Sequence, residues 1–232
     1  MHDTRKINVM EDIHTENDHI ADNINEDLSG KSIFVLNVMG APGVGKTTTI
    51  INLIKNTDGL TSYVIEGDIE SDIDTKKLRD MGIDAYQINT FGACHLDAPL
   101  VHNMTQNINF AKEGILYIEN VGNLVCPAEF KIGEHIKVLI CSVTEGSDKP
   151  YKYPLAFENA DIILINKTDL IPYIEFDEEY FMKGVKALNK NVEVFKVSGK
   201  TGDGFKEAGR WLSENASKYI NAFKEIHNHD HK

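Results

Sequence analysis

Gly40-Ala41-Pro42-Gly43-Val44-Gly45-Lys46-Thr47 spells G-x-x-x-x-G-K-[ST], a spacing suited to holding phosphate. Glycines let backbone N–H groups face phosphate oxygens, the Lys46 ammonium reaches the β and γ groups, and the Thr47 hydroxyl can ligate Mg²⁺. Thr48 continues the same helix start and joins the loop as a nucleotide-binding candidate. Phosphoryl transfer is almost entirely positioning plus charge neutralisation, so Lys46 and Thr47 are also catalytic candidates, and further carboxylates must stand on the metal side. Glu119 closes the apolar run ILYIE, and Gly122 three residues later can offer its N–H to a γ-phosphate; Glu-x-x-Gly fills the slot usually held by Asp-x-x-Gly. Asp68, Asp72 and Asp74 follow the second apolar run and are further Mg²⁺ candidates, although Asp74, just before a helix, is equally suited to capping it.

Asn166-Lys167-Thr168-Asp169 follows the run DIILI and reads a base. The Asp169 carboxylate can accept from guanine N1–H and N2–H₂, whereas adenine presents an acceptor at N1 and nothing at C2. Ser198-Gly199-Lys200 after a later strand looks like the S-A-K loop that supports such a tetrad, with Gly199 expected to give its N–H to the guanine carbonyl.

Cys94 and His95 adjoin, and Cys126 follows Gly122 by four residues. Thiolate and imidazole suit Zn²⁺ and Ni²⁺ better than hard cations, and three ligands leave a structural zinc site incomplete, which fits a labile or subunit-shared site. Spacing alone is equally compatible with cysteines that merely pack. Cys141, inside IKVLICSV, reads as a small core residue.

The elements that must position these residues repeat a simple alternation. Short, nearly continuous apolar runs start at Ser32, Tyr63, Ala85, Ile115, Ile136, Ile162 and Val192, and each reads as a strand buried on both faces. Helical stretches fall at Thr47–Lys55, Asp74–Met81, Asp97–Ala111, Asp177–Leu188 and Phe205–Ile226. Such alternation predicts an α/β P-loop NTPase fold, a mostly parallel central sheet flanked by helices on both faces. Residues 1–30 read as a polar, loosely attached arm with a thin helical stripe of Ile13, Ile20 and Ile24; residues 31–226 form the GTPase domain, and residues 227–232 a His-containing tail suited to weak metal binding or simply to fraying.

Composition narrows the function classes. A net charge of -12 over 232 residues disfavours a nucleic-acid partner. Three widely spaced cysteines speak for free thiols in a reducing compartment rather than a disulfide scaffold. No apolar run approaches the ~18 residues of a membrane span and the first ten residues lack a signal-peptide core, so a cytoplasmic protein with no membrane partner is expected.

With these motifs in view, residues 32–215 resemble the HypB family, GTPases of hydrogenase maturation that deliver nickel. The resemblance rests on the phosphate loop, on Cys94-His95-Leu96-Asp97-Ala98, on Glu119-Asn120-Val121-Gly122-Asn123-Leu124-Val125-Cys126-Pro127-Ala128, on Thr144-Glu145-Gly146 and on Asn166 to Asp169. It implies a Ni²⁺ or Zn²⁺ site of Cys94, His95 and Cys126 at the interface of a GTP-dependent homodimer, and Mg²⁺ at Thr47 with help from the Asp68 to Asp74 loop. It further implies a HypA-type nickel chaperone as partner and a hydrogenase large subunit precursor as recipient. The cysteine-rich amino-terminal nickel site of some family members has no counterpart in residues 1–30. Three rivals are weaker. A urease-accessory nickel GTPase typically shows Cys-Pro-His, but Ala128 follows Cys126-Pro127 here; a P-loop small-molecule kinase has no use for the base-reading tetrad; a metal store built on the His-rich ends would ignore nucleotide.

Overall fold

The computed structural model describes residues 4–68 and 73–229, with side chains placed over 14–67 and 73–227. Asp72, the Asp68 side chain, Ile13 of the amino-terminal stripe and the last histidines of the tail lie outside those described residues.

Seven strands form in chain order: β1 (Ile33–Met39), β2 (Thr61–Asp68), β3 (Asp84–Asn89), β4 (Gly114–Glu119), β5 (Ile136–Ser142), β6 (Ile162–Asn166) and β7 (Glu193–Lys196). Every pairing is parallel, and the spatial order is β3-β2-β4-β1-β5-β6-β7. Parallel neighbours require crossovers, and helices lie in them: α2 (Lys46–Lys55), α3 (Ile73–Asp80), α4 (Ala98–Thr105), α5 (Cys126–Glu129), α6 (Lys149–Lys152), α7 (Pro154–Glu158) and α8 (Glu178–Leu188), while α1 (Thr4–Gly30) precedes β1 and α9 (Phe205–His229) follows β7. No helix among the described residues is long and apolar enough to cross a membrane.

The expected sheet with helices on both faces is what forms. Phe34, Leu36 and Val38 of β1 share one core cluster with residues of α2, α3 and α9, while Ile33 and Val35 share another with residues of α1 and α4. Farther along, Leu139 and Cys141 of β5 pack with Phe157 and Phe181 from α7 and α8. Cys141 is buried there, as its place in an apolar strand implies, and burial pushes its thiol well above the usual range.

Two local readings are corrected. Residues 14–30 are no loose arm: Ala21, Ile24 and Leu28, spaced for one helix face, are buried against α4 and β1. Asn17 continues that face, accepting from the Ala98 N–H and donating to the Lys131 carbonyl, both at 2.9 Å. The helix expected over Asp97–Ala111 ends at Thr105, because Ile108 and Phe110 are drawn down onto the Val101 and Tyr63 side of the core before β4 begins. Three short helices, α5 to α7, begin on or next to prolines whose fixed φ favours a first turn, and the apolar periodicity of four or five residues is too brief to announce them.

His135 ties α1, β1 and α9 together. Its Nδ1 accepts from the Val35 N–H (2.8 Å), and its Nε2 lies 2.9 Å from Ser29 Oγ, whose own proton goes to Asn25 O. The ring stacks on Phe34 and meets Tyr219 edge-on. Burial lowers this imidazole to about 4, from 6.5. The unfolded chain therefore takes up a proton that the fold refuses, so stability is full above about pH 6.5 and falls as pH drops toward 4. The loss should approach ~3 kcal/mol at the acid end, and in urea unfolding His135→Gln should flatten the fall between pH 7.5 and 5; an equal slope in the variant would refute it.

Candidate functional site

β1 lies between β4 and β5, so the chain leaving its carboxyl end enters a crevice where strand order switches, the place at which open α/β sheets bind ligands. The phosphate loop fills that position. Gly40 has no room for a side chain, since a Cβ would sit 2.7 Å from the Ile140 carbonyl, and Gly45 adopts φ +93° at the start of α2. Beside the loop opens a cavity of roughly 490 Å³ bordered by Gly43, Gly45, Lys46, Thr47, Thr48, Asp74, Glu119 and Gly122. Of the residues selected for phosphate and Mg²⁺, these converge on one space.

Thr47 Oγ1 lies 3.1 Å from Glu119 Oε1 and 3.2 Å from Asp74 Oδ2. One hydroxyl proton can serve only one of the two carboxylates at a time. The second Glu119 oxygen is buried without a hydrogen-bond partner. Burial pushes the Glu119 carboxyl up to about 7 against the pull of the Lys46 ammonium, with the charges of Glu66 and Asp74 adding to the rise. An all-oxygen donor set with an orphaned carboxylate atom fits a hard divalent cation such as Mg²⁺. Asp74 therefore stands in the site, inside the first turn of α3, rather than capping that helix. Gly122 packs edge to edge with Pro42, where a Cβ would come within 3.0 Å of the ring, and Asn123 bridges to Gly40.

The residues expected to read a base form a clasp around the loop. Buried Asn166 donates from Nδ2 to the Val44 carbonyl (2.8 Å) and accepts at Oδ1 from the N–H groups of Lys167 (2.7 Å) and Gly199 (2.9 Å). Lys167, at φ +62°, reaches back to the Gly43 carbonyl (2.7 Å). Ser198 donates to Asp169 Oδ1 at 2.6 Å, which orients the carboxylate, and Lys200 is exposed beside it. The Gly199 N–H, expected to serve a guanine carbonyl, donates in this structure to Asn166 Oδ1, under which the short turn from Ser198 brings it.

Cys94, His95 and Cys126 come together, their ligand atoms within 4.8 Å of one another. The two sulfurs are 3.2 Å apart, and Cys94 Sγ is 3.4 Å from His95 Nδ1. Cys126 heads α5, while Cys94 and His95 precede Asp97, the cap of α4. Phe130 stacks on His95, with His14 of α1 also stacked against Phe130. Burial holds His95 below the usual imidazole range although Asp97 and Glu129 oppose it, so the neutral, ligating ring is favoured. The Cys126 thiol is raised, first by its contact with Cys94 and then by burial. A soft cation entering here must displace thiol protons.

Sequence reasoning missed three residues: Glu66, a buried carboxylate in the same cavity, and two asparagines that join the thiol cluster to the phosphate site. Asn120 accepts from the Leu96 N–H (3.0 Å) and donates to Asn37 of β1 (3.1 Å); Asn123 donates to the Cys94 carbonyl (3.2 Å). Both flank Gly122 in the recognised block, but only the fold shows what their amides reach.

A parallel sheet with this loop, its carboxylates and a tetrad beyond it defines a P-loop nucleotide-binding protein. The model of the CobW/HypB/UreG nucleotide-binding domain matches residues 34–196. The hydrogenase maturation factor HypB of Azotobacter vinelandii is 44% identical over 213 residues, 90% of this chain and 69% of that one. Among solved structures, HypB from Helicobacter pylori in complex with nickel superposes with TM-score 0.83 at 32% identity, covering 88% of this chain and 97% of its own. HypB from Archaeoglobus fulgidus gives TM-score 0.79 at 35% identity, over 87% and 99%. The chain belongs to the HypB family of hydrogenase maturation factors.

Removing the clasp should be costly. Asn166→Ala strands two half-buried N–H groups and a buried carbonyl, so it should lower the unfolding free energy by about 1–3 kcal/mol and weaken nucleotide binding; urea midpoints and titration with a fluorescent guanine nucleotide measure both.

Proposed function

We propose that the chain is a GTP-hydrolysing nickel metallochaperone that assists nickel insertion into NiFe hydrogenase. The observation that carries the reading is the physical link between two chemistries: Asn120 and Asn123 join the Cys94–His95 loop to the segment that runs from Glu119 to Cys126 along the phosphate loop. A γ-phosphate arriving at Gly122 must push on a segment whose far end is a thiol ligand. Family membership and the nickel-bound relative support nickel as cargo, with Zn²⁺ able to use the same ligands.

In this mechanism Thr47, Asp74 and Glu119 would hold Mg²⁺ with the nucleotide, with the Asp68 to Asp74 loop as a further source of ligands, and Mg²⁺ would supply charge neutralisation. Lys46 and the loop amides hold the phosphates, and Asp169 selects guanine. GTP orders the loop after β2 and the Glu119 to Gly122 loop, two subunits pair, and Cys94, His95 and Cys126 of both converge on the ion. Hydrolysis loosens the loops and alters the site, releasing the ion toward the hydrogenase large subunit precursor, with a HypA-type chaperone as partner in the cytoplasm. The switch segments carry no arginine finger among the described residues, so intrinsic turnover is slow.

Two experiments test the reading. Asp169→Asn presents an amide whose NH₂ matches the C2 carbonyl of xanthine and mismatches the guanine amino group. GTP affinity should fall on the order of 100-fold or more while xanthosine triphosphate gains; retention of GTP preference would remove Asp169 from base recognition. Second, Ni²⁺ affinity and oligomeric state are measured on one sample with GDP and with a non-hydrolysable GTP analogue, on wild type and Cys126→Ala. Wild type should dimerise with the analogue and change its nickel affinity together with that step. A Cys126→Ala protein with unchanged nickel affinity and full dimerisation would sink the coupling.

A further inference from the structure

Glu66 and Glu119 stand side by side. They are register partners on β2 and β4, both buried, and both face the phosphate cavity. Glu119 has an evident task beside Thr47, and Glu66 does not touch that hydroxyl. Its carboxylate instead accepts from Thr75 Oγ1 at 2.5 Å. Thr75 is almost fully buried, and its immediate neighbour is Asp74, the carboxylate that approaches Thr47. The later part of α3 is anchored separately, by buried Leu78 and by the Arg79 Nε bond to the Ala85 carbonyl (2.8 Å). Those anchors lie a turn beyond Asp74, and within the first turn Thr75 carries the bond to Glu66.

We propose that Glu66 is a positioning residue of the nucleotide site, which through Thr75 holds the first turn of α3 so that Asp74 faces Thr47, and thereby sets how tightly divalent cation is taken up with nucleotide. The inference deepens the GTPase reading and rests on it. Burying a carboxylate in mid-sheet is expensive unless it is well bonded, and a hydrogen bond to a charged acceptor is among the stronger ones. The charge also faces the same cavity as Glu119, so it favours a cation there while the bond to Thr75 fixes the geometry. A substitute that only filled space would do neither.

The test compares Thr75→Val, which removes the donor at nearly constant shape, with Thr75→Ser, which keeps it, together with Glu66→Ala and the Glu66→Ala/Thr75→Val double variant, all in the full chain. For Thr75→Val, the Mg²⁺ concentration giving half-maximal GTP hydrolysis should rise about tenfold, with GDP affinity in EDTA within about twofold of wild type. Thr75→Ser should behave as wild type, and the double variant should be no worse than Glu66→Ala alone, since both break one contact. In nucleotide-free protein, hydrogen exchange at residues 74–77 should speed up in Thr75→Val while residues 126–129 are unaffected. An unchanged Mg²⁺ requirement in Thr75→Val, or effects that multiply in the double variant, would overturn the proposal even if Glu66→Ala fails to fold. A wild-type chain without Mg²⁺-dependent GTP hydrolysis would instead overturn the parent reading, and this inference with it.

Discussion

Burial of β1 on both faces is the constraint on which the site depends. All seven of its residues are buried, so its carboxyl end cannot drift, and the phosphate loop leaves from a fixed point. Gly40 extends that rigidity by one residue, wedged against the Ile140 backbone of β5 where no side chain fits. Loop amides that must meet phosphate oxygens within a few tenths of an ångström need such a base, because any freedom in it would be lost again on binding. The same strand carries a buried polar residue, Asn37, whose Oδ1 accepts from the Asn120 amide while its own Nδ2 has no hydrogen-bond partner. Through that contact the strand also holds the start of the loop that leads to Cys126.

In the proposed mechanism that loop responds to nucleotide because its ends are held differently. At Glu119 and Asn120 it is buried and hydrogen-bonded to the sheet. At its far end Val125 and Cys126 are partly open to solvent, where Asn123 donates to the Cys94 carbonyl and the Cys94 and Cys126 sulfurs meet. A push at Gly122, which already touches Pro42, meets a firm end and a soft one, and movement goes to the soft end. This asymmetry is what a metal site needs if its geometry is to depend on a phosphate that it never contacts.

The strands were legible in the sequence because parallel strands buried on both faces leave continuous apolar runs, and none of the seven was misplaced by more than its end residues. The phosphate loop, the tetrad and the thiol cluster were legible because their residue types are dictated by chemistry. The amino-terminal helix was not, since Ala21 is small, Asn17 is polar, and the burial of both comes from partners more than seventy residues away. Glu66 was hidden for the opposite reason. A carboxylate inside VIEGD looks like the polar end of a strand until Thr75 and Glu119 are seen beside it. Asn166 was recognised for reading a base, whereas its bonds join three loops, a role that motif logic does not state.

Three ligands at one cluster also bear on what kind of metal handling the site suits. A closed tetrahedral site of four protein ligands holds zinc as part of the fold, and removing the ion unfolds such domains. Here protein groups hold the surroundings of the cluster: Asp97 caps α4, Asn123 holds the Cys94 carbonyl, and Phe130 supports the His95 ring. A protein group from a second subunit, or water, must complete the coordination. Because the thiols require deprotonation to bind a cation, affinity at such a cluster is set by local geometry and proton competition. Both are quantities that a moving loop can change by the few kilocalories per mole separating capture from release.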